Sequence, residues 1–89
     1  MGIFFISYHS NIFKKNIELE NKIKLVSSNF IEVFPNTWFI VSTSIGHDLQ
    51  KIFSTFITDD EQLLITETTG DVSCIGINNN TIDFLNSYC

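Results

Sequence analysis

Strand-forming and helix-forming segments follow one another along this chain in an order that few small folds accommodate. Residues 3–6 are a continuous apolar run, typical of a central strand, and polar residues end it at 7–11. Apolar residues at helical spacing come next. Residues 30–34 and 37–42 then have the character of two strands, and Pro35 marks the turn of a predicted antiparallel hairpin.

A second helix is the clearest amphipathic signature in the sequence. Its apolar residues recur at positions i, i+3, i+4 and i+7, as Leu49, Ile52, Phe53 and Phe56. An acidic turn at 58–61 leads into a closing strand at 62–68. The resulting order, βαββαβ, is that of the split βαβ unit, so the sequence predicts an α+β domain of the ferredoxin-like class.

The length of the chain fits a single domain, 1–89. We expect residues 1–70 to form the ferredoxin-like core and 71–89 to form a C-terminal appendage. Within the appendage, residues 72–77 favour a short fifth strand, and Thr81 is a candidate cap for a short helix.

The apolar content suggests that part of the surface faces a partner. A chain this short buries only roughly 60–65% of the surface that its unfolded form exposes, yet 44% of its residues are hydrophobic. We therefore expect a homodimer. The residues predicted to contact the second copy or another partner are Trp38, Phe39, Val72, Ile75, Ile82, Leu85 and Tyr88.

The charge balance argues against a nucleic-acid partner. Five lysines and no arginine oppose ten carboxylates, which gives a net charge of −5. Proteins that bind nucleic acids depend on neutralising phosphates, and arginine is the usual bidentate donor. A weak candidate phosphate patch consists of Lys14, Lys15, Lys22 and Lys24. Because Glu18 and Glu20 lie among these lysines, a solvated helix face of mixed charge is the alternative.

Cysteine usage and the N-terminal segment bear on the compartment. Cys74 and Cys89 do not have the spacing of a metal site, and we interpret them as cytosolic thiols. The first residues lack the basic segment and the cleavage site of a signal peptide. The sequence therefore predicts a cytoplasmic protein without membrane contact, and it predicts neither a metal nor another cofactor.

The polar residues at the end of the first strand are the first candidate site. Tyr8, His9 and Ser10 lie where a strand meets a turn, a common place for functional side chains. Paired His9 side chains in a dimer would be able to bind a metal or act as acid and base, whereas a single turn histidine is usually a surface residue. The acidic turn at 59–61 lacks the alternating ligands of a calcium loop, and we interpret it as solvated.

Four short segments carry a family resemblance: Ile6-Ser7-Tyr8, Thr37-Trp38-Phe39-Ile40-Val41, Leu63-Leu64-Ile65 and Thr69-Gly70-Asp71. In this order and spacing they resemble the SinR-like small proteins, which are related to the ferredoxin-like, endoribonuclease-like adaptation subunit of CRISPR systems. The resemblance covers nearly the whole chain. It implies a homodimer in which two four-stranded sheets face one another and the C-terminal segments complete the assembly.

One departure from the family bears on catalysis. Members with nuclease activity carry an Asp directly after the first-strand Tyr, where it is thought to hold a divalent metal at the dimer axis. This chain has His9 there, and imidazole is a poor ligand for magnesium. Pro35 and Asn36 also stand where the CRISPR subunits carry Gln or Arg. The resemblance therefore does not extend to metal-dependent cleavage.

Two functions remain open from the sequence. The first is an acidic homodimeric binding protein that has no nuclease catalysis and recognises a protein; one version is a phage anti-defence inhibitor that occupies a basic nucleic-acid groove. The alternative is a nuclease or ribonuclease toxin that uses Tyr8, His9 and Ser10 as acid–base groups without a hard metal ion.

Overall fold

The computed structural model describes residues 2–10, 15–68 and 75–88, and this part of the chain forms an α+β domain. Four strands and three helices follow one another in it. Their bounds are β1 Gly2–Ser10, α1 Ile17–Val26, β2 Asn29–Phe34, β3 Thr37–Ser42, α2 Gly46–Ser54, β4 Glu61–Thr68 and α3 Asn79–Tyr88. The predicted α+β class is thus confirmed.

The four strands form one antiparallel sheet in the order β2-β3-β1-β4. The apolar strand β1 lies inside the sheet, where Phe5 pairs with Phe39 of β3 on one side and with Thr66 of β4 on the other. Both faces of this strand are covered, since Phe4 and Ile6 lie in the core on one face and Ile3 lies in a core on the other, which accounts for its continuous apolar run. The arrangement is compatible with a small ferredoxin-like type of fold.

A tight turn joins β2 to β3 and is tied to the end of β1. Asn36 has a φ of 62°, in the left-handed region that asparagine tolerates better than most residues. Its backbone N–H donates to Glu32 Oε2 at 3.2 Å, and its carbonyl accepts from the Tyr8 N–H at 2.9 Å. The turn therefore fixes the hairpin and the position of Tyr8 together.

Helices α1 and α2 cover one face of the sheet and enclose the main core. Leu19 and Ile23 of α1, with Leu49 and Phe53 of α2, are fully buried. They pack with residues of β1 and β3: Phe4, Ile6, Tyr8, Trp38 and Ile40. The apolar residues whose helical spacing predicted α2 thus form the face of the helix that packs into this core.

Helix α3 packs on the opposite face of the sheet. Phe84 and Leu85 form a second core with Ile3, Phe39 and Val41. The predicted C-terminal helix is present, but its capping residue differs from the expected one. Asn78 Oδ1 accepts from the Thr81 N–H at 2.9 Å, so Asn78 is the cap and Thr81 is buried inside the first turn.

The expected fifth strand does not form in residues 75–77. Gly76 has a φ of 73°, a left-handed conformation that interrupts an extended chain, and the capping residue Asn78 lies only two residues further on. Residues 72–74, the rest of the expected strand, lie outside the described residues. No helix of the described segments is long and apolar enough to cross a membrane.

Candidate functional site

A hydrogen-bonded cluster around a carboxylate joins the ends of several elements at one end of the sheet. The Tyr8 hydroxyl donates to Glu61 Oε2, and Asn16 Nδ2 donates to the same oxygen at 3.1 Å. Thr58 donates to Glu61 Oε1 from its backbone N–H at 3.0 Å and from its hydroxyl at 2.8 Å. We call Tyr8, Asn16, Thr58 and Glu61 the Glu61 cluster.

Strand register explains why Tyr8 reaches Glu61. In the antiparallel pair β1–β4, Tyr8 lies opposite Leu63 and Ser10 lies opposite Glu61. Residues opposite one another in a sheet share a face, so Tyr8, Ser10 and Glu61 all lie on the face covered by α1 and α2. The Tyr8 side chain therefore reaches Glu61 along the diagonal between the two neighbouring strands.

Asn16 links both helices of this face to the carboxylate. Its Oδ1 accepts from the Leu19 N–H at 3.0 Å and caps α1. Its Nδ2 donates to Glu61 and also to the Phe56 carbonyl at 2.8 Å, just beyond the end of α2. One side chain thus connects the start of α1, the end of α2 and the start of β4.

The hydrogen bonds set the charge state of the cluster. The Tyr8 hydroxyl, followed by the Thr58 backbone, lowers the pKa of Glu61 to about 2. Burial raises the pKa of Tyr8, and the hydrogen bond to Glu61 adds to this effect. At neutral pH the carboxylate is therefore charged and the phenol neutral. A carboxylate with so low a pKa, already accepting four hydrogen bonds, is a weak general base, so the cluster is chemically suited to holding elements together.

Two open cavities flank Glu61. The first, which we call the α2–β4 groove, has a volume of about 400 Å³. It is lined by Gln50, Ser54, Ile57, Thr58, Asp59, Glu61, Leu63 and Ile65. The second, of about 370 Å³, lies beside the start of α1 and is lined by Lys15, Asn16, Ile17, Glu18, Phe56 and Glu61. A basic side chain lines the second cavity, whereas the α2–β4 groove is lined by two carboxylates and no basic residue.

The three residues predicted at the end of the first strand do not converge within one chain. Tyr8 and Ser10 lie on the face covered by α1 and α2 and are buried. His9 lies opposite Gln62 on the other face, and it is exposed. Adjacent residues of a strand point to opposite faces, so a single copy does not bring the imidazole and the phenol to the same reacting group.

The residues predicted to contact a partner fall into three groups. Trp38 is 1% exposed in the main core, and Phe39 and Leu85 are buried between the sheet and α3. Ile82 is half-buried on α3, whereas Ile75 is 98% exposed. Val72 lies outside the described residues, as does the side chain of Tyr88. Of the described members, Ile75 is thus the one most accessible to a partner.

The candidate phosphate patch is partly neutralised by its own helix. Glu20 forms ion pairs with Lys15 at 3.4 Å and with Lys24 at 3.6 Å. Lys24 Nζ also lies 5.7 Å from the centre of the Phe30 ring. Lys22 lies on the same helix, and Lys14 is outside the described residues. This pairing is typical of a helix face of mixed charge.

Sequence reasoning missed Asn16, Thr58 and Glu61 as a connected group. Asn16 carried a local signal, because asparagine before a helical pattern is a common cap. Glu61 was one of three acids in a turn, and its bond to Tyr8 spans 53 residues. No local pattern marks a contact of that range.

The described residues contain no group of three histidine, cysteine, aspartate or glutamate side chains placed to hold a metal ion. Comparison of the chain with protein-family models, with curated proteins and with solved structures finds no match.

Proposed function

We propose that this chain is a small acidic binding protein that recognises a basic surface on a protein partner and does not cleave nucleic acids. The distribution of charge along the fold carries the proposal. Residues 46–68, which include α2 and β4, contain one lysine, Lys51. The same range contains five carboxylates: Asp48, Asp59, Asp60, Glu61 and Glu67.

Most of the lysines lie around α1, where neighbouring carboxylates balance part of their charge. Around α1, Lys15 and Lys24 are paired with Glu20, so this helix contributes little net charge. The excess of negative charge therefore belongs to the α2 and β4 side of the domain. A negative surface attracts a basic protein surface and repels phosphates, which favours a protein partner over a nucleic acid.

For the fold we propose the ferredoxin-like class and, with it, a relationship to the SinR-like and CRISPR adaptation proteins. The position of β1 between β3 and β4 supports the split βαβ arrangement. The order of elements up to β4 supports it as well.

We also propose that the chain forms a homodimer whose contact lies along β4. Helix α3 covers part of the sheet face that the family resemblance assigns to the dimer contact. On the same face Leu64 of β4 is 58% exposed, and its neighbour across the strands is Ser7. This open side of the face supports a contact along β4 rather than over the whole sheet.

For the biological role, we propose action in the cytoplasm, and one version is an anti-defence inhibitor that blocks a basic nucleic-acid groove in a host–virus conflict. The nuclease alternative gains nothing from the geometry, because Tyr8 and His9 lie on opposite faces of the sheet.

Binding measurements at physiological salt test the proposal. Fluorescence anisotropy would be recorded with a labelled arginine-rich peptide, a labelled DNA duplex and a labelled RNA strand. We expect binding of the peptide that weakens as salt is added, and no binding of either nucleic acid. Tight nucleic-acid binding with a steep salt dependence would contradict the proposal and would make Lys15, Lys22 and Lys24 a phosphate track.

A further inference from the structure

The α2–β4 groove combines an apolar floor with an acidic end. Ile57, Leu63 and Ile65 form the apolar part, and these side chains also pack against the main core. Gln50 and Ser54 of α2 form a polar rim. The acidic end consists of two carboxylates, Asp59 in the turn before β4 and Glu61, the first residue of β4.

The negative charge of this end is fixed in place. Four hydrogen bonds, from Tyr8, Asn16 and Thr58, hold the Glu61 carboxylate. A charge that is already positioned needs no further ordering when a cation arrives, so less free energy is lost on binding. Because the oxygens of Glu61 already accept these bonds, its contribution to a ligand is mainly the charge.

Asp59 differs from Glu61 in that its side chain is exposed in the turn. A planar guanidinium forms paired hydrogen bonds with a carboxylate and loses its hydration more easily than an ammonium group does. The two carboxylates thus have complementary roles: Asp59 offers hydrogen bonds and Glu61 offers a fixed field.

We propose that the α2–β4 groove seats an arginine side chain from the basic surface of a protein partner. The aliphatic part of the arginine lies along Ile57, Leu63 and Ile65, and its guanidinium reaches Asp59 beside Glu61. This inference rests on the proposed function and names its anchoring contact. The groove volume of about 400 Å³ is near the lower end of the range of small-ligand sites, roughly 300–1,000 Å³, and suits one extended side chain.

The test compares two lysine substitutions at neighbouring exposed positions. Ser54→Lys places a cationic chain at the groove, whereas Thr55→Lys adds the same charge one residue away, at a position that does not line it. The probe is a labelled hexa-arginine peptide titrated into each full-length protein. We expect Ser54→Lys to weaken binding about tenfold and Thr55→Lys to weaken it less than about twofold, since only the first blocks the seat.

A second pair of substitutions tests the acidic end of the groove without filling it. Asp59→Asn removes a carboxylate of the groove, and Asp83→Asn makes the same change on α3, on the other face of the sheet. We expect Asp59→Asn alone to weaken binding, by about threefold to tenfold. In addition, backbone amide signals of Ser54, Thr58 and Leu63 should shift in NMR spectra when the peptide is added. Thermal unfolding of all four variants confirms that each is folded.

The outcomes separate the seat from the function on which it rests. Equal weakening by Ser54→Lys and Thr55→Lys, with shifts spread over the acidic surface, would overturn the arginine seat and leave the basic-partner proposal standing. Failure of the natural chain to bind the peptide at any salt concentration would overturn both.

Discussion

The hydroxyl of Tyr8, near the end of the first strand, donates a hydrogen bond to Glu61, the first residue of the last strand of the sheet. The pair joins positions 53 residues apart. With Asn16 and Thr58 it holds the start of α1, the region after α2 and the start of β4 at one end of the domain.

Glu61→Gln should destabilise the domain. The neutral amide keeps the size of the side chain but loses charge-assisted hydrogen bonds from Tyr8, Asn16 and Thr58. We expect a loss of about 2 kcal/mol in the free energy of unfolding, measured by urea denaturation. Glu67→Gln, the same change at an exposed residue of β4, is the control and should change stability by less than about 0.5 kcal/mol. Equal effects of the two substitutions would contradict the role of the cluster.

Stability should fall in acid, and Glu61 should account for part of that fall. The pKa of Glu61 is about 2 in the folded chain, whereas the reference pKa of an exposed glutamate is 4.5. The unfolded chain therefore takes up the proton first, and the stabilisation, complete above about pH 5, is lost as pH falls toward 2. Tyr8→Phe removes the largest cause of the low pKa, so it should weaken this pH dependence. Urea unfolding at a series of pH values measures the slope; an unchanged slope in Tyr8→Phe would count against the assignment.

Asn16→Asp should destabilise the fold at neutral pH and less so in acid. The new carboxylate keeps an oxygen that can cap α1, but it lacks the N–H groups that Glu61 and the Phe56 carbonyl accept from. It also places a second negative charge beside Glu61. We expect a loss of about 2–3 kcal/mol at neutral pH that shrinks as the carboxyls are protonated. Asn21→Asp, at an exposed site of α1, is the matched control, and a similar loss there would exclude the proposed repulsion.

Light scattering should report a dimer at micromolar concentration, and Leu64→Lys should shift it toward the monomer. Leu64 is exposed on the open side of the sheet, where a charge would have to be buried in the contact. Leu25→Lys, which alters another exposed leucine on α1, serves as the control and should leave the mass unchanged. A monomer mass for the natural chain that persists as concentration rises would end the dimer proposal.

The purified chain should show no nuclease activity stimulated by magnesium or manganese. Under the proposed relationship to the CRISPR adaptation proteins, His9 stands where a carboxylate would hold the metal, and its side chain lies on the face opposite Tyr8. Cleavage that EDTA abolishes and that survives His9→Ala would contradict this prediction. Metal-independent cleavage lost in His9→Ala would instead support the acid–base alternative.

Local periodicity and composition were enough to predict an α+β chain, the buried face of α2 and the acidic charge balance. The start of α1 at Ile17 depends on the Asn16 cap. Packing between distant segments buries Trp38 inside the chain and places α3 over one face of the sheet. Strand register brings Tyr8 to Glu61 and places His9 on the opposite face. These relationships depend on strand register and on packing between distant segments, and no local spacing encodes them.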